Sequence, residues 1–350
     1  MTTHRLMIGG FAAAAVLGLT AAPAVAQDLT VTSWGGGYQD AQREVYFEPF
    51  KQETGINLVE DVWNGGVGAI RAKVEGGGQE WDVVQVEAEE LVLGCEEGLY
   101  ELIDWEAVGG QDQFIEAAVN DCGVGTIVWS TAIAYDADVI KDKAPQSWAD
   151  FWDTETWPGK RGFRRGPKYT LEFALMADGV PPEQVYEVLS TPEGVERAFA
   201  KLDSIKDHVI WWEAGAQPVQ LLADGEVAMT TAFNGRVYTA MVDEGQPFEI
   251  VWDGQVWDLD LWTVVDGTKK REAAMDFVAF ASRPERMAEQ PNYISYGPVR
   301  KSALAMVPED VKPHLPTFPE NFENSVQNDY EWWADNLDAM NVRFNAWLAQ

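Results

Sequence analysis

The sequence predicts an α/β protein of two lobes with a ligand cleft between them, and three of its features lead there. Strand-like and helix-like runs alternate early in the chain, in the rhythm of a parallel sheet faced by helices. Roughly 320 residues follow a distinct N-terminal segment, more than one typical domain and enough for two separate cores. A β-rich stretch, Gly123–Asp136, is suited to a strand that leaves the first lobe.

At the N-terminus His4 and Arg5 precede an apolar run from Leu6 to about Leu19, and Ala24, Val25 and Ala26 close the segment. A basic start, an apolar middle and an A-x-A end make residues 1–26 a secretory signal peptide, cut before Gln27. The apolar run is shorter than the ~20 residues that span a bilayer, so the mature chain is expected to be exported and soluble.

The alternating run Asp28–Trp34 reads as a strand that stops at Gly35, Gly36 and Gly37. A helical pattern follows from Tyr38, with Ala41, Val45, Phe47 and Phe50 on one side, and Gly55 ends it. Ile56–Trp63 is the next strand, Val67–Val74 a helix stopped by the glycines from Gly76, and Trp81–Val86 a short buried strand. Pro145–Arg165, rich in Trp and Pro, reads as loop and short helix. Further alternation runs to Trp257, and helical patterns cover Lys270–Ala281 and Asp329–Leu348. Several extended crossings between lobes fit better than two domains in series. The expected division is 27–135 plus 262–302 for the first lobe and 136–261 plus 303–350 for the second.

Charge excludes one class of function. The chain holds 57 Asp and Glu against 25 Lys and Arg, spread along its length, for a net charge of −32. Phosphate contacts need basic patches, so nucleic acid is not a partner. The acidity is read as a solvated surface first and as a field for cationic solutes second. Cys95 and Cys122 are the two cysteines, and in an exported chain they are expected to form one disulfide. His4, His208 and His314 are scattered, and no G-x-S-x-G or H-E-x-x-H motif occurs. No catalytic residue, metal site or cofactor is expected. An exported hydrolase, the alternative of another class, lacks a nucleophile with its base.

Several segments together carry a resemblance: Thr32–Ile56, Trp81–Glu87, Ser147–Asp153, Pro158–Gly162, Leu221–Arg236, Ile294–Ala303 and Ser325–Trp333. In this order and spacing the chain resembles the periplasmic substrate-binding proteins of polyamine-type (spermidine/putrescine) ABC transporters. The resemblance implies the two-lobed type II fold, a periplasmic monomer, and hinge closure on a small cationic amine. It also implies delivery to an inner-membrane ABC permease.

An amine in a water-poor cleft needs carboxylates for its charge and aromatic faces for its methylenes. Trp34 and Tyr38, flanking the triple glycine, match the aromatic ligand contacts of the family loop, whose acid is replaced here by glycine. Glu87 ends a strand and either pairs an amine or faces solvent. Glu89 and Glu90 are read as the exposed first turn of a helix. Phe233 stands where the family has a stacking Trp. Asp258 and Asp260 share one strand face. Asp260 matches the family's amine-binding aspartate, and Asp258 replaces an aromatic. Tyr296 and Gln327 match a cleft tyrosine and a hydrogen-bonding glutamine. Trp211, Trp212 and Glu213 either line the pocket or pack in the core. The run Pro158–Glu172 concentrates Lys160, Arg161, Arg164, Arg165 and Lys168, read first as a surface cluster. Should Arg164 or Arg236 enter the cleft instead, the solute becomes an ω-amino acid such as 4-aminobutyrate.

Overall fold

Short buried runs build the first half of a sheet. In the computed structural model, which describes residues 28–76 and 81–350, β1 (Leu29–Ser33), β2 (Leu58–Val62) and β3 (Val83–Glu87) are parallel, with β1 between the other two. The expected signal peptide lies outside the described residues. The helical run after β1 carries a π-helical turn over Arg43–Phe47. It buries Val45, Tyr46, Phe47 and Phe50, the apolar side read from the sequence.

Two long strands join the halves. β4 (Gly123–Asp136) and β8, which spans Phe248–Val264, run antiparallel along most of their lengths. The late part of β8, from Asp260 to Val264, pairs with β3. The late part of β4, from Thr131 to Tyr135, pairs with β7 (Met229–Phe233). Beyond β7 lie β5 (Arg161–Arg164) and then β6 (Val209–Trp212), again parallel. The path is therefore β2-β1-β3-β8-β4-β7-β5-β6. Two short strands, β9 (Gly297–Pro298) and β10 (Val326–Gln327), are attached to β4 and β8. The register of β4 against β8 shifts at Gly125/Ile127 and at Thr131/Ile133. Such irregularities bend and twist a strand pair, here where the sheet passes from one half to the other.

Each half has its own core. One packs Phe47, Phe50, Trp262, Phe277 and Phe280 between the first strands and the helix Arg271–Ala281. The other packs Trp148, Phe151, Phe163, Phe173, Trp333 and Trp347, and so enlists the C-terminal helix Tyr330–Leu348. Asp329 caps that helix by accepting from the Trp332 amide at 2.9 Å. Cys95, in the helix Ala88–Glu96, is bonded to Cys122 at the foot of β4, with Cα atoms 5.8 Å apart.

One correction concerns Pro145–Arg165, which contains β5 as well as the helix Trp148–Trp152. The Arg161 guanidinium is fully buried. It donates to the carbonyls of Phe151 (2.6 Å), Trp157 (2.7 Å), Gly159 (3.0 Å) and Asp153 (3.1 Å). Backbone oxygens thus replace the water that a buried cation loses.

Candidate functional site

Parallel strands open their carboxyl ends toward ligands, and here those ends meet the crossing strands around one half-open cavity. Trp34 follows β1, Trp63 and Asn64 follow β2, and Glu87 ends β3. From the other side come Arg164 at the end of β5, Glu213 and Gly215 after β6, and Phe233 and Arg236 around the end of β7. Trp129 of β4, Asp260 of β8, Tyr296 before β9 and Tyr38 complete the wall. The cavity measures about 80 Å³. One water needs ~10–15 Å³ on that scale, so the space suits a solute of a handful of heavy atoms.

The rings hold one another in place. Trp34 stacks on Trp63, centroids 5.1 Å apart, and Tyr38 meets Tyr296 edge-on at 5.3 Å. Phe233 is edge-on to Trp129 at 5.1 Å and to Trp212 at 5.6 Å. These arrangements suit the aromatic quadrupole and leave a cage of π faces whose acids are Glu87, Glu213 and Asp260. Asp260 accepts from Trp129 Nε1 at 2.7 Å. Among the described residues no Lys or Arg pairs with it. Burial first, and the charge of Glu87 second, push its carboxyl well above the ordinary value. The site therefore offers an acceptor that lacks a cation.

Donors without acceptors lie in the same wall. The buried Trp34 Nε1 and Arg236 Nε make no hydrogen bond to the protein. Arg236 reaches across to the Gly35 carbonyl at 3.5 Å and has no carboxylate partner among the described residues. Arg164 lies 5.6 Å from the Phe233 ring centroid and 3.7 Å from Glu87. The first reading of the basic run as a surface cluster is thus corrected for Arg164, and Arg236 joins it at the cavity. Geometry splits the run. Arg161 is structural, Arg165 pairs with Glu213 on the exposed side at 2.8 Å, and Lys168 is buried beside the cavity.

Lys168 organises a polar cluster behind the wall. Its ammonium lies 2.7 Å from Glu87, 2.5 Å from Glu89 and 3.3 Å from Asp258. Tyr169 donates to Asp258 at 2.8 Å, and Asn328 does so at 2.7 Å. Burial would raise Glu87, but Lys168 and Arg164 hold it below the ordinary carboxyl value. For Glu89 burial prevails over Lys168, and its carboxyl is pushed up to about 8. Glu89 and Glu90 are buried, which corrects the exposed helix turn expected of them. Glu90 and Glu87 instead form a capping box on the helix Ala88–Glu96.

Of the residues expected in the site, Trp34, Tyr38, Glu87, Phe233, Asp260 and Tyr296 line the cavity. Asp258 points to the same side of β8 as Asp260 but is engaged by Lys168, Tyr169 and Asn328. Gln327 is exposed in β10, and its neighbour Asn328 is the buried residue. Trp211 packs against Phe344 and Trp212 against Phe233, while Glu213 reaches the wall. Trp63, Asn64 and Trp129 were not singled out in the sequence. Trp63 ends a strand just as Trp34 does, and that signal could have found it.

A family model described as bacterial extracellular solute-binding protein matches residues 46–317. The chain belongs to that family. This binding protein is 48% identical over 346 residues to the gamma-aminobutyric acid-binding protein of Pseudomonas aeruginosa, covering 99% of this chain and 96% of the relative. The spermidine/putrescine-binding periplasmic protein of Salmonella typhimurium is 25% identical over 222 residues, 63% of this chain and 61% of the relative. A solved GABA receptor superposes with a TM-score of 0.82 at 35% identity, covering 93% and 98% of the two chains. The periplasmic binding protein MotA of A. tumefaciens B6, in complex with glucopine, does so with 0.86 at 31%, covering 92% and 100%. The two-lobed fold and the role as an ABC substrate-binding protein stand on these likenesses. Of the two solutes weighed from the sequence, the ω-amino acid fits them better than the polyamine-type amine.

Proposed function

We propose that this binding protein captures 4-aminobutyrate, or an ω-amino acid close to it in length, in the periplasm for an ABC permease. One observation carries the reading. The wall of one small cavity includes Asp260, which lacks a cation, and Arg236 and Trp34, whose Nε and Nε1 have no acceptor in the protein. An ω-amino acid brings an ammonium for the first and a carboxylate for the second. A protonated diamine offers only donors, so it would leave the Arg236 and Trp34 N–H groups buried and unmet, at roughly 1–3 kcal/mol each. The aromatic cage covers the methylenes between the charged ends.

In this reading the bodies 27–135 plus 262–302 and 136–261 plus 303–350 close by bending β4 and β8. Closure brings Arg164 and Arg236 of one side against Glu87 and Gly35 of the other. A solute held by Asp260 and Arg236 of the second body favours the closed state through the contacts that it makes there with Trp34 and Tyr38 of the first. No reaction is proposed, since the acids at the cavity are answered by fixed donors rather than by a nucleophile and its base. Export through residues 1–26 and passage as a monomer to the permease complete the proposal.

A thermal-shift panel of the mature chain tests it, since a ligand that binds the folded state stabilises it by RT ln(1 + [L]/Kd). 4-Aminobutyrate should give the largest shift, with putrescine, spermidine and agmatine far behind. A larger shift with any of the three amines would overturn the amino-acid reading.

A further inference from the structure

The cluster around Lys168 has the composition of a second amine site. Three carboxylates converge there, the ligand atoms of Glu87, Glu89 and Asp258 lying within 4.8 Å of one another. An aromatic ring completes it, with Lys168 Nζ 4.8 Å from the centroid of Tyr169. All of these groups are buried, and Glu89 Oε2 has no hydrogen-bond partner. Tyr169 is held at φ +66°, a conformation that an aromatic residue rarely adopts. This fixed backbone sets Lys168 and the Tyr169 hydroxyl against the acids. The cluster adjoins the cavity: Glu87 lines both, and Asp258 stands two residues from Asp260 on the same strand face.

Acids and an aromatic face are what an alkylammonium needs once it leaves water, and here a side chain of the protein supplies the ammonium. Resting on the amino-acid reading above, we infer that Lys168 is a specificity-determining residue: its ammonium fills the place of a diamine's second amine, so the cavity accepts solutes with one cationic end. The device rejects diamines without a clash. It satisfies the acids in advance and leaves Asp260 as the single unanswered carboxylate of the wall. A diamine entering the wild-type protein would bring its second charge against Arg164 and Lys168.

The test compares wild type with Lys168→Ala and with the double variant Lys168→Met/Glu89→Gln, which carries one acid fewer. Calorimetric titration is made with 4-aminobutyrate and with putrescine, and melting is followed with and without 100 mM methylamine. Wild type should bind putrescine at least a hundredfold more weakly than 4-aminobutyrate. In folded Lys168→Ala putrescine affinity should rise at least tenfold, and methylamine should raise the melting temperature of the variant but not of wild type. Should Lys168→Ala not fold alone, the double variant gives the same reading; should neither fold, methylamine should restore refolding of Lys168→Ala. Putrescine affinity unchanged in a folded variant, or no recovery by methylamine, overturns the role of Lys168. Absence of 4-aminobutyrate binding to wild type sinks the functional reading instead, so the two failures are distinguishable.

Discussion

Asp260 and Arg236 divide the work of recognition, and each has its own signature. Asp260→Asn keeps the size of the side chain and removes the charge that meets an ammonium. A hydrogen bond to a charged group is worth about 1.5–3 kcal/mol, so calorimetry should show 4-aminobutyrate bound more than about tenfold more weakly. Because burial raises the Asp260 carboxyl in the empty site and a bound ammonium lowers it again, affinity falls as pH drops through the raised value, and in that range binding releases a proton. Titrations in buffers of different ionisation enthalpy should show that release in wild type and not in Asp260→Asn. Arg236→Gln should weaken 4-aminobutyrate by a similar factor yet leave n-butylamine, which has no carboxylate, nearly unchanged. A variant that loses both ligands equally would remove Arg236 from carboxylate binding.

At the scale of elements, the helix Asn234–Asp243 fixes the wall through its first residues. Asn234 accepts from the Ser130 amide at 3.0 Å and donates to the Ser295 carbonyl at 2.7 Å, joining β4 to the segment before β9. A Cβ on the next residue, Gly235, would lie 2.4 Å from the Tyr296 ring and 2.6 Å from Ile294. Gly235→Ala should displace Tyr296 and weaken the solute severalfold, while far-UV circular dichroism stays that of wild type. The disulfide acts elsewhere. Closing its loop stabilises by ~3 kcal/mol in the chain-entropy picture, so Cys95→Ser/Cys122→Ser should unfold at lower denaturant with affinity preserved. Elements also explain what was hard to read in the sequence. Gln327 of β10 faces outward and Asn328, just after it, inward, and a shift of one residue along an extended run exchanges its faces. β5 hides in a charged tract because its buried cation, Arg161, is solvated by carbonyls that come from other turns of the chain. The Lys168 cluster unites residues from four separate segments, around Glu87, Lys168, Asp258 and Asn328, and no local pattern announces it.

For the whole molecule, the early strands and principal helices were legible because their apolar periods are plain, and five of the expected wall residues sit at strand ends or crossings where such folds bind solutes, Tyr38 lying in the helix after β1 instead. Charge pairing was less legible, since it depends on which acids are buried together. Those acids shape stability. Burial, first of all, pushes Glu89 up to about 8 and Glu90 and Glu172 up to about 7. A carboxyl raised in the folded state contributes stability below its unfolded value, and that contribution is lost as pH rises through the folded one. Repulsion within a chain of net charge −32 acts in the same direction. The ligand-free protein should accordingly melt at a higher temperature near pH 5.5 than near pH 8.5, as calorimetry would show. The reverse order would mean that the buried acids are ionised and well paired. The central claim, that one cavity grips both ends of a zwitterion, is tested most directly by titrating wild type with 4-aminobutyrate, n-butylamine and butyrate under identical conditions. 4-Aminobutyrate should bind at least about a hundredfold more tightly than either half-molecule, whereas n-butylamine binding as tightly as 4-aminobutyrate would contradict it.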